Sequence, residues 1–238
     1  MHSKTDSILA DQVAYYRARA GEYDQWFFRQ GRYDRGDAHR AEWLGEIDRI
    51  RKALSTEIRD CHVLELACGT GLWTEQLARE NRRVLAVDAS PEVIAINQER
   101  VRAPNVEYEV ADLFAWQPGT RFDAVLFAFW LSHVPSEHFD RFWNTVRASL
   151  KPGGRAFLVD SLLEQTSTAT DHAPVGDSGV VRRKLNDGRE FDIVKVFYEP
   201  ESLALRLSQL GWIADVRSSG KFFLFGTCRR HLIQHLNA

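Results

Sequence analysis

The chain predicts an α/β fold with a mostly parallel sheet, and three observations carry that prediction. From Cys61 onward short apolar runs alternate with amphipathic stretches, the pattern of βαβ units. The first apolar run ends in a Gly-x-Gly turn, Gly69-Thr70-Gly71, that opens into a helix. The 238 residues suffice for one α/β domain, 1–238, able to bury a continuous core without disulfides or metal.

The apolar runs Val63 to Ala67, Arg83 to Asp88, Val106 to Val110, Phe122 to Phe129 and Arg155 to Asp160 read as strands, followed by Phe191 to Phe197 and Phe222 to Thr227, which makes seven. Between them Leu72 to Glu80, Pro91 to Arg100, Ser136 to Leu150 and Pro200 to Leu210 read as helices. Ser90-Pro91 and Pro135-Ser136 supply starts, and Gly153-Gly154 and Gly211 follow the last two helices. Ahead of this core, 59–238, residues 1–58 form an amino-terminal helical cap. Its helices are Ile8 to Ala20 and Asp37 to Leu54, joined by an aromatic segment with Tyr23, Trp26, Phe27, Phe28 and Tyr33. The stretch Glu164 to Gly179 is rich in Ser, Thr, Asp and Gly without apolar periodicity, so a loop or mobile lid is expected over about 164–182.

Composition narrows the partners. Lys and Arg number 31 against 33 Asp and Glu, a net charge of -2, so no global basic field draws phosphate backbones and nucleic acid is not expected as a partner. Cys61, Cys68 and Cys228 are odd in number and lack CxxC spacing, which argues against a disulfide framework or a zinc site and suits a reducing cytoplasm. Met1 to Gln12 is polar and the longest apolar run, Ala124 to Leu131, is far short of a membrane span, so neither secretion nor membrane anchoring is expected.

The segment Val63-Leu64-Glu65-Leu66-Ala67-Cys68-Gly69-Thr70-Gly71-Leu72-Trp73 carries most of the functional signal. In a doubly wound sheet this first strand-to-helix turn lies where ligands bind, and small residues at 67, 69 and 71 let the backbone approach one closely. A dinucleotide fingerprint would need a third glycine where Thr74 stands. The carboxylate of Glu65 suits a cationic ligand better than a pyrophosphate. Asp88 ends the second strand, seventeen residues after Gly71, where a carboxylate accepts both ribose hydroxyls. Asp112 follows the third strand, in position to accept from an adenine amino group. Helix capping is the structural alternative for both aspartates.

Taken together, Glu65 to Gly71, Asp88, Asp112-Leu113, the run Phe122 to Phe127 and Leu150-Lys151-Pro152-Gly153-Gly154 resemble the class I S-adenosylmethionine-dependent methyltransferases of the small-molecule type, from about Tyr15 to the end. The resemblance implies a doubly wound, Rossmann-like sheet of order 3-2-1-4-5-7-6 with strand 7 antiparallel, and S-adenosyl-L-methionine as cofactor. It also implies donor contacts from Glu65, Ala67, Gly69, Gly71, Trp73, Asp88, Ala89, Asp112, Leu113 and Phe129, with Tyr16 and Arg19 of the cap near the methionine carboxylate. Ala67 departs from the family's usual glycine, and only a slight effect is expected from it.

Methyl transfer from a sulfonium needs mainly alignment and exclusion of water, so no metal is expected. A hydroxyl or protonated nitrogen acceptor needs a base, and His133, after the fourth strand, is the candidate catalytic residue; packing beside the donor is its structural alternative. His138 is expected at the surface. Arg182-Arg183-Lys184 with Arg189 reads as a solvated face or hairpin edge, with recognition of an acceptor carboxylate or phosphate as the functional alternative. Most of the aromatic residues are expected in the core, and any that line the pocket favour a planar or apolar acceptor.

The leading reading is a cytoplasmic enzyme, monomer or homodimer, methylating a hydroxyl, carboxyl or amine of a small molecule ahead of a carbon. RNA or protein methylation is the alternative; the neutral charge and the lack of an Asn-Pro-Pro-Tyr type tetrapeptide after strand four count against it. A non-catalytic regulator that binds the donor would share the site and make no product.

Overall fold

The computed structural model describes residues 4–173 and 179–231. Three helices come first: α1 (Lys4–Ala18), α2 (Tyr23–Phe27) and α3 (Asp37–Glu57). Then follow β1 (His62–Leu66), α4 (Thr74–Glu80), β2 (Arg83–Asp88), α5 (Pro91–Val101), β3 (Val106–Val110) and β4 (Phe122–Ala128). The chain continues through α6 (Phe139–Ser149), β5 (Leu150–Ser161), β6 (Val180–Lys184), β7 (Glu190–Val194), α7 (Pro200–Gln209), β8 (Trp212–Ser218) and β9 (Phe223–Arg230).

Seven strands make one sheet in the order β3-β2-β1-β4-β5-β9-β8. The first five run parallel, and β9 is antiparallel to both β5 and β8. The sheet reverses direction of winding beside β1, which pairs with β2 on one side and β4 on the other. That switch leaves a crevice at the carboxyl ends of these strands.

Strand periodicity explains why both faces are covered. Alternate residues point to opposite faces, so Val63, Ala124, Leu126, Phe157 and Val159 pack under α3 and α4 with Trp43, Ile47, Ile50 and Leu77. Leu64, Leu66, Val125, Phe127 and Leu158 pack under α6 and α7 with Trp143, Val146, Leu203 and Leu207. Such a two-sided sheet reads as unbroken apolar runs, which is why its central strands were visible in the sequence. The ends of β1 to β4 fall within one residue of the expected places, whereas β5 begins at Leu150 and β9 runs on to Arg230. Among the described residues no helix is long and apolar enough to cross a membrane.

Two expectations are corrected. Phe191 to Phe197 does not enter the main sheet; its ordered part, β7, pairs antiparallel with β6 in a separate hairpin. There Ile193 and Phe191 pack on Tyr15 of α1. The seventh strand of the sheet is β8 instead. Only its alternate residues are apolar and inward, as in Trp212, while Ile213 is exposed, so as an edge strand it lacks the continuous run that marks a buried one. The expected helix from Ser136 begins as one 3₁₀ turn and becomes α-helical at Phe139.

The cap, the hairpin and the stretch after β5 cover the crevice. Residues 174–178 of the expected lid lie outside the described residues, and 180–184 of its expected span form β6. The described part, 164–173, is held to the cap by donors. Trp26 Nε1 and Arg29 Nη1 both donate to the Ser167 carbonyl, at 3.1 and 3.0 Å, and Arg29 Nη2 donates to the Thr166 carbonyl at 2.7 Å. Arg29 is fully buried with its guanidinium 4.3 Å from the Trp43 ring centre, and burial pulls its pKa down to about 10. An Arg29→Met substitution leaves the Thr166 carbonyl without its donor. For a part-buried acceptor the cost is about 1 kcal/mol, the low end of the range for a buried one, so hydrogen exchange of the Ser167 and Thr168 amides rises roughly fivefold; unchanged exchange there would refute the strap.

Candidate functional site

The turn after β1 forces its backbone into the left-handed region three times: φ is +54° at Ala67, +52° at Gly69 and +92° at Gly71. At Gly71 no side chain fits, since a Cβ would stand 2.6 Å from Asn97 Oδ1. Asn97, fully buried on α5, braces the turn: Nδ2 donates to the Gly69 carbonyl at 3.1 Å and to Thr74 Oγ1 at 2.8 Å, and Oδ1 accepts from the Tyr108 hydroxyl at 3.0 Å. Gly69 is different. A Cβ there would meet no protein atom within 4 Å, because that side of the turn faces a cavity of about 480 Å³. Ala67 adopts the left-handed φ with a side chain, which costs L-residues about 1–2 kcal/mol.

Nine residues singled out from sequence line this cavity: Tyr16, Ala67, Gly69, Asp88, Ala89, Asp112, Leu113, Phe129 and His133. Asp88 Oδ2 accepts from the Gly69 amide at 3.0 Å and Oδ1 from the Ser90 amide at 3.0 Å. Burial raises the Asp88 pKa, and these amides work against the rise. Capping of α5 falls to Ser90, whose Oγ accepts from the Val93 amide, so Asp88 is not needed as its cap. Asp112 holds the turn after β3, with Oδ1 accepting from the Phe114 amide at 2.9 Å. Further lining comes from Tyr23, Phe114, Trp130, His138 and Arg141, none of which carried a motif. His138 therefore stands at the cavity, edge-on to Phe114, rather than at the open surface.

Four expected donor contacts stand elsewhere. Glu65 shares the strand parity of Val63, which turns its side chain to the α4 face behind the turn, where it is 2% exposed. Burial raises its pKa to about 8 against a hydrogen bond from Thr74, and Oε2 has no partner. Gly71 shapes the turn from behind. Trp73 is core, packed near Phe27 and Phe129. Arg19 lies in a second, smaller cavity of about 70 Å³.

The second cavity adjoins the first, and Tyr16, Tyr23, Phe129 and His133 line both. His133 is held at both ring nitrogens: Nδ1 donates to the Val194 carbonyl at 2.7 Å, which leaves Nε2 to accept from the Tyr16 hydroxyl at 2.7 Å. Burial, then the nearby charge of Lys195, pushes its pKa well below the ordinary histidine value. Gln12, which sequence reading passed over because one amide on a helix carries no motif, donates to the His133 carbonyl and accepts from the Val194 amide, both at 3.1 Å. The site is therefore a ligand crevice with a neutral, oriented imidazole on its wall.

The model of a family described as "Methyltransferase domain" matches residues 63–154. The solved DhpI–SAM–HEP complex superposes with a TM-score of 0.77 at 40% identity, covering 96% of this chain and 100% of that one. This chain belongs to the S-adenosylmethionine-dependent methyltransferases. The DhpI–SAH complex is likewise similar to this methyltransferase, at 40% identity and a TM-score of 0.76, covering 94% of this chain and 97% of that one. A ubiquinone biosynthesis O-methyltransferase of Xanthomonas euvesicatoria pv. vesicatoria (strain 85-10) is 32% identical over 160 residues, 65% of this chain and 64% of its own length. The methyltransferase thus spans just under two thirds of that curated relative. Its fold, its family and S-adenosylmethionine as donor agree with the resemblance drawn from Glu65 to Gly154.

The residues present fit that donor: the open face of Gly69 leaves room for close approach, and two aspartates line the wall beyond it. The buried Glu65 gives a test of the electrostatics. Its folded pKa, about 8, exceeds the ordinary 4.5, so the folded state binds the extra proton and stability falls as pH rises from about 4.5 to 8. Glu65→Gln, which cannot ionise, is expected to unfold at a higher temperature than the wild type at pH 8, with the gap closing toward pH 5. A gap that is constant with pH would mean that Glu65 is charged in the fold.

Proposed function

We propose that this methyltransferase moves the methyl group of S-adenosylmethionine to an oxygen of a small-molecule acceptor. The observation that carries the reading is the common wall of the two cavities, where Tyr16 and His133 face both. Asp88 would hold the ribose hydroxyls, and Asp112 with the neighbouring Leu113 the adenine. Ala67 and Gly69 would bring the backbone against the methionine portion. When bound, the donor supplies a methyl group already activated on sulfur, which leaves the chain to align the acceptor, exclude water and take a proton. The name of the Xanthomonas relative gives oxygen as the atom methylated in that protein.

The residues at the wall can carry that proton. As an acceptor hydroxyl loses its proton to Tyr16 Oη, Tyr16 passes its own to His133 Nε2, whose lone pair faces it at 2.7 Å. The Val194 carbonyl fixes the tautomer by holding the proton on Nδ1. Burial keeps the Tyr16 phenol well above its ordinary pKa, so it relays a proton without becoming a resident phenolate. A cytoplasmic location suits the three buried, unpaired cysteines.

Isothermal titration with S-adenosylhomocysteine tests the donor site. Micromolar binding is expected, weakened at least tenfold to a hundredfold in Asp88→Ala, the equivalent of losing one hydrogen bond to a charged acceptor at about 1.5–3 kcal/mol. NAD, as control, should not bind; binding of NAD instead, or none at all, would sink the reading. Nitrogen-15 spectra test the relay: His133 should remain neutral with its proton on Nδ1 from pH 8 down past 6.5, while exposed histidines titrate. A neutral ring with its proton on Nε2 instead of Nδ1 would remove it as the base.

A further inference from the structure

The second cavity is basic, and nothing in the proposed donor chemistry accounts for all of its charge. Arg19, Arg183 and Lys195 line it, and the one carboxylate among the lining residues, Glu164, is turned to the Thr166 amide and hydroxyl at 2.8 and 2.7 Å. Arg19 and Arg183 are each 8% exposed. Arg19 donates to the Tyr33 hydroxyl at 3.4 Å, with its guanidinium over the rings of Tyr15, Tyr23 and Tyr33, and Arg183 meets His172 Nδ1 at 3.5 Å; among the described residues neither has a carboxylate partner. Lys195 donates to Ser132 Oγ at 2.7 Å and stands 3.6 Å from Asp160, whose oxygens are already occupied by the Ser132 and Ser161 amides.

Buried charge without a counter-charge is expensive; two carbonyls and the Trp43 ring offset it for Arg29, whereas among the described residues the Arg183 guanidinium has no carbonyl acceptor and lies over no aromatic ring. The hairpin shows how selective the placement is. On β6, Arg182 points outward and pairs with Asp192 at 2.9 Å, a solvated face as sequence suggested, whereas its neighbour Arg183 turns inward to the cavity. Even with Arg19 assigned to the donor's carboxylate, Arg183 remains without a counter-charge, beside Lys195, whose ion-pair partner Asp160 is shared with two amides. At about 70 Å³ the space suits an acid head group of a few atoms, with the body of the acceptor in the adjoining cavity of about 480 Å³.

We propose that this cavity holds the oxyanion of an acidic acceptor, a carboxylate or a tetrahedral phosphorus acid, through Arg183 and Lys195, and so presents the acceptor at the Tyr16 and His133 wall. The proposal rests on the methyltransferase reading and names its substrate class. Guanidinium and ammonium together serve either geometry, the first as a fork and the second as a point charge. Phe129 and Tyr23, which line both cavities, would carry the body of the acceptor from the anion to the donor.

The test uses full-length protein loaded with S-adenosylhomocysteine and titrated, at constant ionic strength, with acetate or inorganic phosphate as probes. One of the two is expected to bind, the choice separating carboxylate from phosphorus acid. Arg183→Gln should weaken it at least tenfold, and Arg183→Lys should restore part of the loss. S-adenosylhomocysteine affinity in both variants should stay within twofold of wild type, which also reports that they fold; if Arg183→Gln fails that check, Lys195→Gln carries the same requirement. Binding of neither anion to the loaded protein, or anion binding indifferent to these substitutions, would overturn the proposal while leaving the donor site standing. Failure of the wild type to bind S-adenosylhomocysteine would instead strike the reading beneath it.

Discussion

One cluster of hydrogen bonds joins three parts of the molecule that are far apart in sequence: Gln12 on the cap, His133 after β4 and Val194 at the end of the hairpin. Each residue bonds to the other two, through the Gln12 amide, the His133 carbonyl and ring, and both backbone groups of Val194. All three bonds are buried, where a lost partner costs more than the bond itself contributes. Removing any member would leave polar groups stranded between cap and sheet. The roof of the crevice, the tautomer of the imidazole and the position of the basic hairpin therefore rest on one constraint.

That constraint also explains why a small sheet edge carries so much of the site. The hairpin of β6 and β7 is too short to be stable alone, and it is ordered by Ile193 and Phe191 packing on Tyr15 and by the Val194 bonds. Tyr15 and Tyr16 are adjacent on α1, so the surface that buries Tyr15 against the hairpin turns Tyr16 to His133. Packing and chemistry are thus fixed by the same turn of helix. On the opposite side Asp24 of α2 accepts from Thr70 in the turn after β1 and pairs with Arg100 of α5, which ties the cap to the donor wall as well.

Legibility in the sequence followed burial on both faces. The central strands, the Gly-x-Gly turn and the aspartates at 88 and 112 could be read because continuous apolar runs and glycines are local signals. Strand β8 could not, since an edge strand alternates and its outer face carries Asp215 and Arg217. Glu65 and Trp73 belong to the right motif, yet strand parity and the start of α4 turn both away from the cavity; a motif identifies a segment, while the facing of each side chain depends on register. The basic cavity was the hardest to see. Its members come from α1, β6 and the segment after β7, and only Arg183 stood in a visible charge run, one that by composition resembles a solvated edge.

The division of charge across the common wall connects donor and acceptor. Asp6, Asp88 and Asp112 outnumber Arg141 on the donor side, while Arg19, Arg183 and Lys195 outnumber Glu164 on the other, and Tyr16, Phe129 and His133 stand between them without charge. Two unit charges about 8 Å apart interact by roughly 2 kcal/mol at an effective dielectric of about 20. With the second cavity empty, its cations oppose a sulfonium on the other side of the wall; an anion seated among them attracts the sulfonium and offsets that opposition. Donor and acidic acceptor would then each tighten the other's binding, because linkage is reciprocal. Once transfer had turned the sulfonium into a neutral thioether, that mutual attraction would be gone, and each product would be held only by its own contacts.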